Sequence, residues 1–154
     1  MTHDQMTHRD GRLSVAGVVL LAALGVPRAV LHDLHLLGTG PAAAILALAP
    51  PAIWLLVVLR RRISRPFRQL VLIGLTYGIL LAAGHQLLWD EAWRGNPPEL
   101  GGNLRGELPA AVESLVLRGA SALGSIATGT AIGVLVGAIA RAVQRRSRHP
   151  GRRA

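Results

Sequence analysis

Four stretches of about twenty residues carry almost no charge, and they limit the possible folds more than any other feature of the chain. They cover residues 13–31, 41–59, 69–89 and 119–140. The hydrocarbon core of a bilayer is roughly 30 Å thick, and a helix rising about 1.5 Å per residue crosses it in about 20 residues. In lipid each backbone polar group must be bonded within the protein, which a helix achieves alone. The sequence therefore predicts an all-α fold, an integral membrane four-helix bundle.

The arginines predict the orientation of this bundle. All 17 cations are arginine, and thirteen of them lie in residues 1–12, 60–68 and 141–154. The two other connections carry four arginines and six of the eight carboxylates. Arginine accumulates in cytoplasmic loops, so we expect both termini in the cytoplasm, N-in/C-in. The expected topology anchors are Arg60, Arg61, Arg62, Arg65, Arg68, Arg141, Arg145 and Arg146.

The predicted organisation is one membrane domain, residues 13–143, between two polar ends. We expect a disordered cytoplasmic N-terminus over residues 1–12 and a disordered arginine-rich tail over residues 144–154. The outer loop, 91–118, contains strong turn signals, and Pro109 suits the first turn of a helix. A turn or two of interfacial helix should therefore precede the fourth span. Alternatively, the first span is a cleavable signal, which would leave the orientation of the other three unchanged.

Small residues recur at every fourth position on the third and fourth spans. The fourth-span row is Ser121, Ser125, Gly129, Gly133 and Gly137, and the third-span row is Gly74, Gly78 and Ala82. Each row forms a helix face without bulk, over which another backbone can approach closely. We expect the rows to face each other or a second subunit. The alternative is a chance pattern in a chain rich in glycine and alanine.

Two consecutive prolines, Pro50 and Pro51, lie at the middle of the second span. Proline lacks an amide donor and clashes with the carbonyl four residues earlier, so the pair predicts a helix break. Broken helices near the bilayer midplane form ion and solute sites in transporters. A transporter or channel using this break is one hypothesis. The other is a simple kink, with nearby hydroxyls bonded to their own helices.

Polar side chains collect where the first and third spans end. This outer polar cluster consists of Arg28, His32, Asp33, His35, His85, Gln86, Asp90 and Glu91. Ionisable groups at membrane depth are functional candidates. Imidazole and carboxylate suit zinc, which makes His32, His35 and His85 weak candidates for metal ligands, and His32 with His85 could instead bracket a haem iron. The alternatives are polar helix ends at the water interface and a structural pair between Arg28 and Asp90 or Glu91.

The composition excludes several classes of function. The chain has no cysteine, so it can form neither disulfides nor thiolate metal sites. Its arginines lie beside apolar spans and not among exposed aromatics, which argues against nucleic acid binding. The spans contain no acidic residue at mid-depth, which disfavours a small proton-coupled exporter. We find no hydrolase, zinc-protease or phosphate-loop motif.

The leading hypothesis is a small non-enzymatic multi-pass protein of a cytoplasmic membrane, without a cofactor. It would act by helix–helix assembly, as a homo-oligomer or with a membrane-protein partner, and its outer polar cluster would be the interaction surface. The absence of lysine and the abundance of alanine, leucine and glycine indicate a bacterial source. A small-solute or ion transporter using the Pro50–Pro51 break ranks second. A membrane-embedded metal-binding protein or enzyme ranks third.

Overall fold

The structure, a computed structural model, describes residues 11–147, and every regular element among them is helical. The α-helices are α1 (Val15–Ala23), α2 (Val26–Asp33), α3 (Pro41–Arg60), α4 (Pro66–Leu87), α5 (Trp89–Trp93) and α6 (Ala110–Ser147), with a 3-10 turn at Gly102–Leu104. Four segments are long and apolar enough to cross a membrane: α1 with α2, then α3, α4 and α6. The prediction of an all-helical chain with four candidate spans is confirmed. The disorder predicted for residues 1–10 and 148–154 lies outside the described residues.

The first predicted span is two helices, not one. The amides of Leu24 and Gly25 donate to carbonyls three residues earlier, so the chain tightens at the end of α1. Pro27 follows and has no amide to continue the helical bonding. The carbonyl of Leu21 has no bond from Gly25 and accepts two others, from the amide of Leu24 at 3.3 Å and from the indole Nε1–H of Trp54 at 2.7 Å. A break therefore lies at the middle of the first span, where a side chain of α3 satisfies the exposed carbonyl.

The helix break predicted at Pro50 and Pro51 is wrong, because α3 runs without interruption through both residues. Each proline removes an amide donor and crowds the carbonyl four residues earlier, but its fixed φ is close to the helical value, and α3 accommodates both residues. The nearby hydroxyls of Thr76 and Thr130 donate to carbonyls of their own helices, at 2.9 and 2.8 Å. The α3 backbone is therefore not unwound at this position, as the transporter hypothesis assumed.

The central helix of the molecule is α4, which packs against each of the other five α-helices and most extensively against α6. The fully buried large side chains are Trp54 and Val58 of α3 with Leu70 and Ile73 of α4. Large apolar side chains remain exposed on the outside of the helices, as Ile45 shows on α3. Such a surface is unfavourable in water and suits contact with lipid tails.

The last helix is longer than the predicted fourth span. It has 38 residues, which corresponds to about 57 Å and exceeds the roughly 30 Å hydrocarbon core. The predicted interfacial turns and the span form one continuous helix, because no proline occurs between Pro109 and Pro150. Residues 144–147, predicted to be disordered, are helical. At the other terminus the carbonyl of Gly11 accepts bonds from the amide and hydroxyl of Ser64, so the predicted disorder is also wrong at Gly11.

Candidate functional site

The helices carry most of the described charged residues to two opposite ends of the molecule, with Arg28 inside the first span as an exception. The carboxylate end, where α2 and α4 finish and α6 begins, holds all six described carboxylates: Asp33, Asp90, Glu91, Glu99, Glu107 and Glu113. The arginine end, where α3 finishes, α4 begins and α6 finishes, holds the arginines of residues 60–68 and 141–146. Each end contains one candidate site, and the contact between α4 and α6 connects them.

The two small-residue rows pack against each other where α4 and α6 cross. A Cβ added at Gly129 would lie 2.5 Å from the Cα of Gly78, and one added at Gly133 would lie 2.6 Å from the carbonyl oxygen of Leu70. These neighbours are backbone atoms, which cannot rotate aside as a side chain can. The hydroxyl of Ser125, also buried in this contact, donates to a carbonyl of its own helix at 2.9 Å. The rows therefore allow a backbone-to-backbone contact within one chain.

Asp33 is the centre of the carboxylate end. It is the last residue of α2 and only 5% exposed. The Nδ1 atom of His85, on α4, lies 2.5 Å from Oδ2 of Asp33, and Nδ1 of the exposed His32 lies 3.4 Å from Oδ1. A carboxylate only accepts hydrogen bonds, so it favours the tautomer in which Nδ1 of His85 carries the proton. His35 is also close, with its Nδ1 at 3.0 Å from the backbone carbonyl of Asp33. The Asp33–His85 pair thus ties α2 to α4.

The three candidate metal ligands meet around Asp33 but do not form a metal site. Within residues 11–147 no three His, Cys, Asp or Glu side chains are grouped so that they could hold a metal ion. Each imidazole directs Nδ1 to an oxygen of Asp33, and His32 and His85 bond the same carboxylate. These contacts leave Nε2 of both rings outside the carboxylate, and the haem hypothesis for His32 and His85 stays a prediction.

Arg118 is a member of this end that the sequence did not single out. It lies on α6, and its guanidinium carbon is 4.9 Å from the ring centroid of Trp89, a favourable cation–π geometry. Gln86 donates its side-chain amide to the Arg118 carbonyl at 3.1 Å. Arg118 also pairs with the exposed Asp90 at 3.6 Å. The only signal in the sequence was an arginine at the start of an apolar span.

The predicted pair between Arg28 and a carboxylate of the third span is not formed. Asp90 pairs with Arg118, and Glu91 is exposed. Within residues 11–147 the buried Nε of Arg28 has no hydrogen-bond partner. The polar contacts that join the helices at this end are therefore the Asp33–His85 pair and the contacts of Arg118.

An open cavity of about 760 Å³, here called the lateral groove, lies among α2, α4, α5 and α6 at the carboxylate end. Its polar part contains Asp33 and His85, and its aromatic part Trp89 and Trp93. The side formed by α6 has only small residues: Ser121, Gly124, Ser125 and Thr128. A Cβ added at Gly124 would meet nothing within 4 Å. The groove combines hydrogen-bonding groups with a wall that a helix backbone can approach closely.

A second cavity, here called the arginine cavity, has a volume of about 390 Å³ and lies at the other end. Four of the eight predicted topology anchors line it: Arg65, Arg68, Arg141 and Arg145. The other four, Arg60, Arg61, Arg62 and Arg146, do not line it, although all eight side chains are exposed. The structure thus divides the predicted anchors into two groups with different surroundings.

Comparison with known proteins does not assign the chain to a family. No family model matches it, and no curated protein or solved structure matches it significantly. Its four apolar helices fit a multi-pass, membrane-embedded protein. Any more specific function has to be inferred from the lateral groove and the arginine cavity.

Proposed function

We propose that this chain is a non-enzymatic multi-pass protein of a bacterial cytoplasmic membrane that associates with a second copy of itself through the lateral groove. In this proposal the four spans form one bundle with both termini in the cytoplasm. The single observation that carries the proposal is that α6 has two rows of small residues and the fold covers only one of them.

The covered row contains Gly129 and Gly133, both buried against α4. The second row, Ala120, Gly124 and Thr128, has the same four-residue spacing and is exposed beside the lateral groove. A helix face of small side chains makes few van der Waals contacts with lipid tails, whereas the backbone of a second helix can approach it closely and make many. The same row on a second copy is an equally suitable partner, so the contact can be symmetric about a two-fold axis.

The polar part of the groove adds selectivity to this contact. The remaining ring nitrogen of His85, Nε2, has no hydrogen-bond partner among the described residues. In the proposed dimer, His85 and the hydroxyl of Thr128 are the groups available to bond the partner helix. Hydrogen bonds between membrane helices are worth about 0.6 kcal/mol on average, so close packing contributes most of the affinity.

The same geometry supports a role without catalysis. A histidine held by a carboxylate can act as a general base toward a hydroxyl nucleophile. Ser125 also lines the groove, but its hydroxyl donates to the Ser121 carbonyl inside α6, so this bond would have to break before Ser125 could act as a nucleophile. The Asp33–His85 pair accordingly has a structural role in the proposal.

The chain has no native cysteine, so single-cysteine variants report contacts without background. We expect Gly124→Cys to form a disulfide-linked dimer in native membranes under mild oxidation. The control is Ile45→Cys on α3, which is 65% exposed and lies outside the groove. Equal cross-linking of both variants, or a monomer with each of them, would contradict self-association. If position 124 cross-links to a different protein, the partner at the lateral groove is that protein and not a second copy of this chain.

The proposed orientation is tested with the same cysteine-free background. Arg61→Cys should react with an impermeant maleimide only after the cells are opened, because arginine-rich loops stay in the cytoplasm. Gly101→Cys, in the loop between α5 and α6, should react in intact cells. The reverse pattern would invert the bundle and refute the orientation.

A further inference from the structure

The arginine cavity has a construction that membrane topology alone does not require. It lies between the start of α4 and the last turns of α6, and Ser64, Phe67 and Gln144 line it together with four arginines. The Gln144 side-chain amide donates to the carbonyl of Ile63 at 3.5 Å, which holds the last turns of α6 beside the loop before α4. The four arginines are exposed to water, as topology anchors should be, but topology alone does not require arginines of two helices to line one cavity.

The backbone adds positive potential to the same place. No side chain caps the N-terminus of α4, a helix of 22 residues. The amides of Phe67 and Arg68, in its first turn, have no acceptor within the helix, and both residues line the cavity. The aligned peptide dipoles make such a helix start favourable for an anion. All six described carboxylates lie at the opposite end of the molecule, so none of them neutralises the cavity.

We propose that the arginine cavity binds a phosphate group. Guanidinium groups bond phosphate oxygens in pairs, and those of Arg65, Arg68 and Arg141 line a space that accommodates one phosphate headgroup. This proposal does not depend on self-association, which uses the other end of the molecule.

A neighbouring cavity indicates where the rest of the ligand lies. This second space, of about 430 Å³, shares Arg65, Phe67 and Arg68 with the arginine cavity. It continues along α4 past Leu72 and Leu75, which are 45% and 36% exposed. A phosphate in the first cavity thus has an apolar surface directly beside it. This arrangement fits the headgroup and acyl chain of an anionic phospholipid, and a soluble phosphate compound would use the first cavity alone.

The test measures lipid binding to the purified full chain in neutral detergent at fixed ionic strength. The probe is short-chain phosphatidylglycerol, with phosphatidylcholine as the neutral comparison. The cavity variant is Arg68→Gln with Arg141→Gln. The matched control is Arg60→Gln with Arg61→Gln, which removes the same charge from exposed positions outside the cavity.

We expect phosphatidylglycerol to bind better than phosphatidylcholine and the cavity variant to weaken its binding at least about tenfold, since bonds to charged groups are strong. The control should change binding less than about twofold, because Arg60 and Arg61 do not line the cavity and an isolated exposed charge contributes little. Equal weakening by both variants would show diffuse attraction to anions and overturn the site. Lack of preference between the two lipids would also overturn it, unless inorganic phosphate binds.

A second arm separates the two sources of phosphate. If inorganic phosphate binds the native chain and is lost in the cavity variant only, the ligand is a soluble phosphate compound. If it neither binds nor competes while phosphatidylglycerol does, the ligand is the lipid. Should the cavity variant fail to fold by circular dichroism, Arg68→Lys with Arg141→Lys keeps the charge and removes the paired donors. Binding by the lysine variant equal to that of the native chain would overturn the proposed geometry.

Discussion

Replacing Gly129 by alanine tests the crossing of α4 and α6 with the smallest possible change. The added Cβ would lie 2.5 Å from both the Cα and the amide nitrogen of Gly78. Ordinary contacts between carbon atoms are about 3.5–4.0 Å, so the two helices must move apart by about 1 Å. A gap of that size already removes a quarter to a half of the dispersion energy of each affected atom pair, and the crossing is the most extensive contact in the molecule.

The expected cost follows from two opposing effects. Overpacking a well-packed contact costs about 1–3 kcal/mol. Alanine is favoured over glycine inside a helix by about 0.8–1.0 kcal/mol, which offsets part of this cost. We therefore expect Gly129→Ala to lower the free energy of unfolding by up to about 2 kcal/mol. Titration of the chain with sodium dodecyl sulfate in mixed micelles, followed by far-ultraviolet circular dichroism, measures this value.

Gly119→Ala is the matched control, because it makes the same substitution on the same helix. A Cβ at Gly119 would meet nothing within 4 Å, so only the helix preference remains. This variant should be unchanged or more stable by up to about 1 kcal/mol. The helix preference is common to both variants, so Gly129→Ala should be less stable than Gly119→Ala by the overpacking cost of about 1–3 kcal/mol. If Gly129→Ala proved as stable as Gly119→Ala, the close contact between the two backbones would be refuted.

Two further predictions concern buried polar contacts, and the same unfolding titration measures both. Asp33→Asn removes the charge that holds His85 and should destabilise the fold by about 1–3 kcal/mol, whereas Glu91→Gln, at an exposed position, should leave stability unchanged; equal effects would refute a stabilising Asp33–His85 pair. Trp54→Phe keeps a ring in the core but leaves the Leu21 carbonyl without its indole donor, so we expect a loss of about 1–2 kcal/mol. Loss of the same size in Trp93→Phe, which alters an exposed ring, would show that the bond at the helix break is not responsible.

Some properties of this protein can be read from the sequence because they depend on neighbouring residues only. Whether a segment crosses a bilayer depends on its length and on the hydropathy of each residue in it, so the four candidate spans were predictable. The small-residue rows were visible for the same reason, since the period of the helix places every fourth residue on one face. The start of the fourth helix was harder to predict, because hydropathy marks the lipid boundary and not the end of a helix.

Other properties depend on residues that are distant in the chain, and only the tertiary structure decides them. At the break in the first span, the Leu21 carbonyl accepts a hydrogen bond from Trp54, which lies 33 residues later in the chain. In α3, by contrast, the helix continues through two prolines. Asp33 is buried because His85, 52 residues away, supplies its donor. The local sequence shows which polar groups a segment contains. The free energy of a buried polar group or of a broken helix depends on the hydrogen-bond partner that the tertiary structure places beside it.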